Sequence, residues 1–484
     1  MKKIIYFAVL FLFTSCEKYL EVKPANVLAL QTYEDVKSLM GAHIRAYVNT
    51  SYSVKLPGTT VHYLADNFAF LFHFYGDDLN TKKYLDNYAG RNNRKLYNES
   101  MPWKEEKVTA QIWKENYANI GFYNTVIDEL ANVKGVSEDE ANIIKGEAKF
   151  LRAWNLFKLM QYFSPYKLDK YGIPVNFDSQ AVGSYDARRR TQTEVYQLIL
   201  SELTEILNYK TQPTTYNCFY DKKLIHALMA QVYLFKGGSG AGVPNDYDQA
   251  IVHAKAAMEG RTLASIEEYT PIPRMETFDY GFFKNKPEAL IFDTRYNGSF
   301  MQGLVGVPPY GMYQYASDKL YELFDDKDIR KGLFFGENKE VLKFEQIDPD
   351  SYGSYGRSIH LFFTMAEMQL IMAESYARKS DHTNAKLALE ALQSKRIKGY
   401  TAYTGSKPVL EEILDERRRE FCFEYDMRWC DLVRTQKGWT REWANNKETP
   451  TVTIEDNDYR FCFPIPLNEE LQYNKIDQNP GWNL

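Results

Sequence analysis

In "MAESYARKSDHTNAKLALEAL", residues 372–392, Met372, Ala373 and Tyr376 are followed by Ala385, Leu389 and Leu392. These offsets put small and apolar residues on the facing sides of two antiparallel helices, the pattern of a tetratricopeptide repeat. One such unit cannot cover its own apolar face, so the pattern predicts a stack. Leu224 to Met258 is a second, degenerate copy. Its helices, "LIHALMAQVYLF" and "YDQAIVHAKAAM", are separated by "KGGSGAGVPND". The stretch 110–160 supplies further units, with Trp113, Tyr117, Ile120, Asn124 and Ile127 at three- and four-residue steps.

Helix starts are also legible. Thr32 caps a segment carrying Val36, Leu39, Met40 and Ile44. Ser137 with Glu140, and Thr191 with Glu194, form capping boxes. The helices they open carry Ile144, Ala148, Leu151 and Trp154, then Val195, Ile199, Leu203 and Ile206. Strand candidates are few: "LIFDTRY" near 290 and "YRFCFPIP" near 460. The chain therefore reads as mainly α.

The N-terminus is of another kind. Lys2 and Lys3 precede an apolar run, Ile4 to Phe13, that ends at Thr14, Ser15 and Cys16. Ten apolar residues fall short of the ~20 that cross a bilayer. The run reads as a lipoprotein signal, 1–15, whose removal leaves an acylated Cys16; the alternative is an ordinary signal peptide beside an incidental cysteine. Residues 16–30 are then a lipidated tether. With two or more acyl chains such an anchor is stable.

A formal net charge of −5 and a pI near 5.9 provide no basic field for phosphate backbones, so nucleic acid is not expected as a partner. Four cysteines remain beyond Cys16, too few for a disulfide framework. Cys422 and Cys430 would stand ~12 Å apart on a continuous helix and would not pair. Cys218 and Cys462 could pair or stay free.

Between the helical blocks run two irregular segments, 50–105 and 262–358. They contain "ADNFAFLFHFYGDDLNTKKYLDNYAGRNNRKLYNESMPW" and "NGSFMQGLVGVPPYGMYQYAS". Loops this long are functional or disordered, and these are too aromatic to be disordered. Catalytic patterns are missing: the seven histidines show no HExxH spacing, "GGSGAG" at 237–242 has no following GK[ST], and no GxSxG occurs. No cofactor or metal is called for. In "ILDERRREFCFEYDMRWCDLVRT", 413–435, the carboxylates Glu416, Glu420, Glu424 and Asp431 stand among arginines. Spacing offers Asp415–Arg419, Glu424–Arg428 and Asp431–Arg434 pairs. Adjacent guanidiniums lower a carboxylate's pKa, the wrong direction for an acid catalyst, so the run reads as a buried ion-pair latch.

This run, "ERRREFCFE" and then "RWCDLVRT", resembles the C-terminal motif of the SusD/RagB family. Glu416, Arg417, Arg418, Glu420, Glu424, Arg428, Trp429, Asp431, Leu432 and Arg434 fill its positions, with "YDM" where many relatives have a shorter Gly-containing link. In family order, "CEKYLEVKP", "WKENYANIGFYN", "GEAKFLRAWNLFKLMQYF", "RRTQTEVYQLILSEL", "SDKLYELFDDKDIR" and "FPIPLNEELQYNKIDQNPGW" resemble other landmarks. The resemblance implies a tetratricopeptide-like helical scaffold with a large irregular, ligand-binding half. It implies one SusD-like domain over 31–484, with helical repeats at 107–260 and 358–400 and the motif region at 410–484. It also implies a lipoprotein on the extracellular face of the outer membrane, a non-catalytic lid that captures glycan for a SusC-like TonB-dependent transporter. Some members capture peptides instead.

Sugars are bound by aromatic rings on their C–H faces and by polar groups on their hydroxyls. The irregular segments offer Tyr75, Tyr84, Trp103, Tyr310 and Tyr313 for stacking, and Asp77, Asn80 and Arg94 as polar partners. Trp113 and Trp154 sit on periodic faces and read as packing residues. Two rival readings remain open: a secreted glycan-cleaving enzyme, which needs two carboxylates ~5–10 Å apart, and a repeat scaffold that binds only proteins.

Overall fold

The computed structural model describes residues 30, 32–48, 54–56, 59–61, 72–83, 106–179, 187–210, 221–269, 293–295, 314–343, 359–361, 363–442, 451–467 and 474–482. The capping signals act where the spacing puts them. Thr32 Oγ1 accepts the Asp35 N–H at 3.2 Å, and the Asp35 carboxylate accepts the Thr32 N–H at 2.9 Å, opening α1 (Tyr33–Val48). After α2 (Glu106–Asn132), both halves of the Ser137–Glu140 box are made at the start of α3 (Glu138–Phe163). The Thr191–Glu194 box likewise opens α4 (Gln192–Ile206). Each box satisfies orphan N–H groups that a helix start cannot pair internally.

The repeat signature becomes two helix pairs. α5 (Lys222–Gly237) packs along α6 (Asp246–Met258), and, after the short helices α7 (Asp318–Tyr321) and α8 (Ile329–Phe334), α9 (Met365–Arg378) packs along α10 (His382–Gln393). α6 also lies against α9, although about a hundred residues separate them. Ala250, Ala254 and Ala257 on α6 and Ala366 and Ala373 on α9 are fully or almost fully buried. Small side chains at such positions let helix backbones approach closely. The two repeat blocks are one stack, continued at its other end by α2, α3 and α4.

"GGSGAG" is the turn between α5 and α6. A Cβ at Gly242 would lie 2.6 Å from the Gly237 carbonyl oxygen, and one at Gly240 would strike the Asp169 amide. Glycine is required there by close backbone approach, not by a phosphate.

Trp113, Ile120, Ile144, Ala148, Leu151, Trp154, Val195, Ile199, Leu203 and Ile206 all enter one core, which also takes in Val36, Trp429, Phe463 and Trp482. Burying each large aliphatic side chain contributes about 1.5–3 kcal/mol. A smaller cluster joins α9 and α10 to α11 (Val409–Phe421).

The described strands form three antiparallel pairs. β1 (Val54–Leu56) pairs with β2 (Thr59–Val61). β3 (Asp293–Arg295), inside the expected "LIFDTRY", pairs with β4 (Ile359–Leu361). β5 (Trp439–Glu442) pairs with β6 (Thr451–Ile454), a hairpin the sequence did not announce.

"YRFCFPIP" is not a strand. Asp458 accepts the Arg460 N–H and starts a 3₁₀ turn, Tyr459–Phe461; Pro464 and Pro466 then lack ladder donors. The closing signature instead docks on the end of α3. Phe463 N–H donates to the Tyr162 carbonyl at 2.7 Å, and Asn479 Nδ2 donates to the carbonyls of Phe163 (3.0 Å) and Phe463 (2.7 Å).

The motif run is helical but interrupted. α11 stops at Phe421 and α12 (Met427–Thr435) resumes after a link in which Phe423 (φ 62°) and Tyr425 (φ 35°) are left-handed. Left-handed non-glycine residues cost roughly 1–3 kcal/mol each. Burial of Phe423 and the Lys343–Glu424 ion pair, 2.6 Å, offset that cost. Cys422, Cys430 and Cys462 are buried free thiols, and burial pushes the Cys422 thiol up to about 12.

Candidate functional site

The fold brings described stretches of both irregular segments, 72–83 and 314–343, to one seam. Leu79 bridges Ala316 and Tyr315 bridges Glu340, both antiparallel, so 314–316 lies between 79–80 and 339–341. Asn80 N–H donates to the Tyr315 carbonyl at 2.7 Å, Ser317 N–H to the Asp78 carbonyl at 2.7 Å, and Ala316 N–H to the Lys339 carbonyl at 2.9 Å. Lys83 Nζ donates to the Asn338 carbonyl at 2.9 Å and sits 4.1 Å over the Tyr315 ring. Within the seam His73 Nδ1 meets Gln314 Oε1 at 3.1 Å.

Beneath the seam lies the latch, whose partners differ from those that spacing offers. Asp431 does pair with Arg434, at 2.8 Å, as the i,i+3 spacing allows. Asp415 pairs with Lys407 instead of Arg419, which turns to Glu412 and Glu416. Glu424 pairs with Lys343, while Arg428 reaches across the fold to Asp77 at 2.7 Å. The break between α11 and α12 removes Arg428 from the helical register on which the Glu424 pairing depended.

Arg330, from the "DDKDIR" landmark, meets Asp328, Glu416 and Glu420 at 2.7 Å each, and Arg396 meets Glu420 at 2.8 Å. Sequence reasoning did not connect Asp328, Arg330 or Arg396 with this cluster. An Arg at 330 followed by acids at 416 and 420 carries no spacing signal.

The electrostatics argue against acid catalysis by this run. Burial pushes the Glu416 and Glu420 carboxyls up, but Arg330 with Arg419, and Arg396 with Arg330, outweigh it and hold both below the usual range, Glu420 at about 2. Asp431 is held down likewise against its burial by Arg417 and Arg434. Glu424 is the exception, raised by burial despite Lys343. Among the described residues no group of three or more His, Cys, Asp or Glu could hold a metal ion. A cavity of about 60 Å³ lies between α3, α5, α9 and the latch, walled in part by Trp154, Gln161, Glu367, Arg417 and Tyr425. It has room for a few waters but not for an oligosaccharide.

The sequence-predicted ligand residues divide three ways. Tyr75 is wholly buried, its ring 5.5 Å from that of Trp429 and 4.9 Å from that of Phe463. It is a packing residue and offers no face to a sugar. Asp77 is also buried and is spent on Arg418 and Arg428. Burial raises its carboxyl, yet those two guanidiniums hold it below the ordinary range. Both corrections have one cause: residues 75–78 face inward onto α11 and α12. Asn80 is half-buried in the seam, and its Oδ1 accepts the Lys83 N–H at 3.0 Å. Tyr84, Arg94, Trp103, Tyr310 and Tyr313 lie outside the described residues, as do Cys16 and Cys218. Tyr84 directly follows Lys83 in the chain, and Tyr313 directly precedes Gln314. Trp113 and Trp154 are core residues, as their periodic faces predict.

Among the described residues no helix is long and apolar enough to cross a membrane. No curated protein sequence matches the chain. Solved structures do. A SusD superfamily protein from Bacteroides thetaiotaomicron is 21% identical, with TM-score 0.69 over 93% of this chain and 100% of its own. Another, from Bacteroides vulgatus, is 20% identical with TM-score 0.70, over 94% of this chain and 100% of its own. A laminarin-binding SusD-like protein is 17% identical with TM-score 0.62, over 93% and 100% respectively. At these identities the likeness establishes the fold. Sequence profiles reach further: one described as starch-binding, associating with the outer membrane, matches residues 18–234, and the SusD family profile matches 337–482. The second match spans the latch and the closing signature, the first the early helical repeats. With its helix stack, its interrupted arginine-rich motif and these matches over well more than half its length, the chain belongs to the SusD/RagB family.

Proposed function

We propose that this chain is a non-catalytic outer-membrane lipoprotein, anchored through Cys16 on the extracellular face. It captures glycan and passes it to a SusC-like TonB-dependent transporter. The observation that carries this reading is the Leu79–Ala316 bridge, which joins the two aromatic segments. Asn80 lies in that seam; Tyr84 and Tyr313 are covalent neighbours of it, and Arg94, Trp103 and Tyr310 lie farther along the same two segments. These six residues are the ligand-binding set. The core shared by α1, the helix stack and the closing signature supports reading 31–484 as one domain behind a tether, 16–30. The arginine-paired latch supports the absence of catalysis, since three of its four candidate acids are held ionised.

The test is affinity electrophoresis of the mature chain in gels containing laminarin or starch. Retardation is expected, with Trp103→Ala and Tyr310→Ala each weakening it at least tenfold. Retardation unchanged in both variants overturns the site, and release of new reducing ends overturns the non-catalytic reading. Radiolabelled palmitate should enter the wild-type chain and not Cys16→Ala.

A further inference from the structure

Arg418 and Arg428 belong to the C-terminal motif, yet the groups they hold lie 340 and 351 positions away. Arg418 Nε donates to Asp78 Oδ1 at 2.7 Å, and its Nη2 donates to the Asp77 carbonyl at 3.1 Å. Arg428 Nε donates to Asp77 Oδ1 at 2.7 Å. That same Asp77 carbonyl accepts the Ser317 hydroxyl at 2.8 Å, while the Ser317 N–H donates to the Asp78 carbonyl at 2.7 Å. One backbone oxygen is thus shared by a motif arginine and a residue of the second irregular segment. Arg441, from β5, caps the carbonyls of Phe74 and Gly76 just before. Gly76 admits Arg428 closely: a Cβ there would lie 3.2 Å from Arg428 Cγ.

The two segments are therefore not merely near each other. The guanidiniums fasten the first through the side chains of Asp77 and Asp78 and the Asp77 carbonyl, and the second is tied through Ser317 to the two carbonyls of that same Asp77–Asp78 pair. Charge-assisted bonds of this kind are shorter and about twice as strong as neutral ones, and an arginine fork also fixes direction. Tyr84 begins six residues beyond Asp78, and Tyr313 stands four residues before Ser317. Whatever sets Asp77, Asp78 and Ser317 sets where the chain leaves the seam towards Tyr84 and where it enters from Tyr313.

We propose that Arg418 and Arg428 are positioning residues of the glycan site, holding the ends of its two arms in register without touching the sugar. This rests on the glycan-capture reading above. A preorganised pair of arms loses less freedom on binding than a loose pair, so the clasp raises affinity without adding a ligand contact. The family motif thereby acquires a role beyond packing: it is the fixed base against which the ligand-facing segments are placed.

The test compares the full mature chain with Arg428→Gln, Arg428→Lys and Ser317→Ala. The readouts are hydrogen exchange and retardation by laminarin and starch. In Arg428→Gln, amides of 79–83 and 314–317 should exchange at least tenfold faster, with α5 and α9 unchanged, and polysaccharide affinity should fall at least tenfold. Arg428→Lys should restore part of both, because it returns the charge without the Nε donor that meets Asp77. Ser317→Ala, which leaves every charge in place, should reproduce the same local pattern at smaller size if Arg428→Gln does not fold. Unchanged exchange in the two segments, exchange that rises equally in α5 and α9, or raised local exchange with full affinity would each overturn the proposal. A wild-type chain that binds neither polysaccharide sinks the glycan reading, and the exchange pattern alone then decides whether the clasp fixes the arms.

Discussion

Arg330 Nη1 lies 2.7 Å from Glu416 Oε1, and neither side chain has any exposed surface. The same guanidinium meets both oxygens of Asp328, at 2.9 and 2.7 Å, and Glu420 at 2.7 Å. It ties α8 to α11 inside the protein. Removing one partner of a buried pair leaves an uncompensated charge, which costs about 3–5 kcal/mol. Arg330→Met should lose at least that much, because three carboxylates are left facing one another. Equilibrium urea unfolding measures it, and a loss under ~1 kcal/mol would show that the cluster is not a fastening.

Acid should undo that cluster and the Glu374 pairs with Arg434 and Arg378. Burial raises Glu374, Glu416 and Glu420, and neighbouring guanidiniums bring all three below their ordinary value, Glu420 to about 2. A carboxyl whose folded pKa is depressed contributes stability above its unfolded value and loses it as pH falls towards the folded one. The melting temperature should therefore drop steeply between about pH 4.5 and pH 2. A flat profile over that window, followed by circular dichroism, contradicts the assignment.

Glu367 runs the other way. It is buried on α9, and both its oxygens accept from Gln231 Nε2, at 2.8 and 2.9 Å. Burial pushes its carboxyl up to about 7, against the pull of Arg417. A raised folded pKa gives stability that is complete below the unfolded value and is lost as pH rises through the folded one. Glu367→Gln should stabilise the protein at pH 8 by roughly 2–3 kcal/mol and leave it unchanged near pH 4. Equal effects at both pH values in urea titrations would exclude this origin.

The capping boxes offer a local control. Ser137→Ala and Thr191→Ala should each cost about 1 kcal/mol, since each exposes an N–H that the cap had satisfied. The sites sit at different helix starts, so the losses should add. A double variant no less stable than either single one, by thermal melting, would mean that one cap is redundant.

Helix starts were legible because their signals are local. Ser137 and Glu140 lie three residues apart and meet wherever the chain turns helical. The small residues around Ala373 and Ala385 were legible for the same reason. The strand expected at "YRFCFPIP" failed because Asp458 and two prolines outvote its aromatic alternation. Tyr75 and Asp77 carry no signal of their burial, because an aromatic and acidic stretch in a long loop looks the same whether it faces a sugar or a buried arginine.

By itself the sequence determined the helix starts, the repeat that makes helices stack, the arginine-rich run and, through these, the family. Only the tertiary structure decided that the two repeat blocks form one stack, that Arg428 reaches Asp77 rather than Glu424, and that Leu79 meets Ala316. The reason is physical. Capping and periodic packing act within a turn or two of helix, so residue order encodes them. An ion pair or a bridge between distant segments needs only compatible groups brought within about 3 Å, and many pairs along the chain are compatible. Packing of the core selects among them.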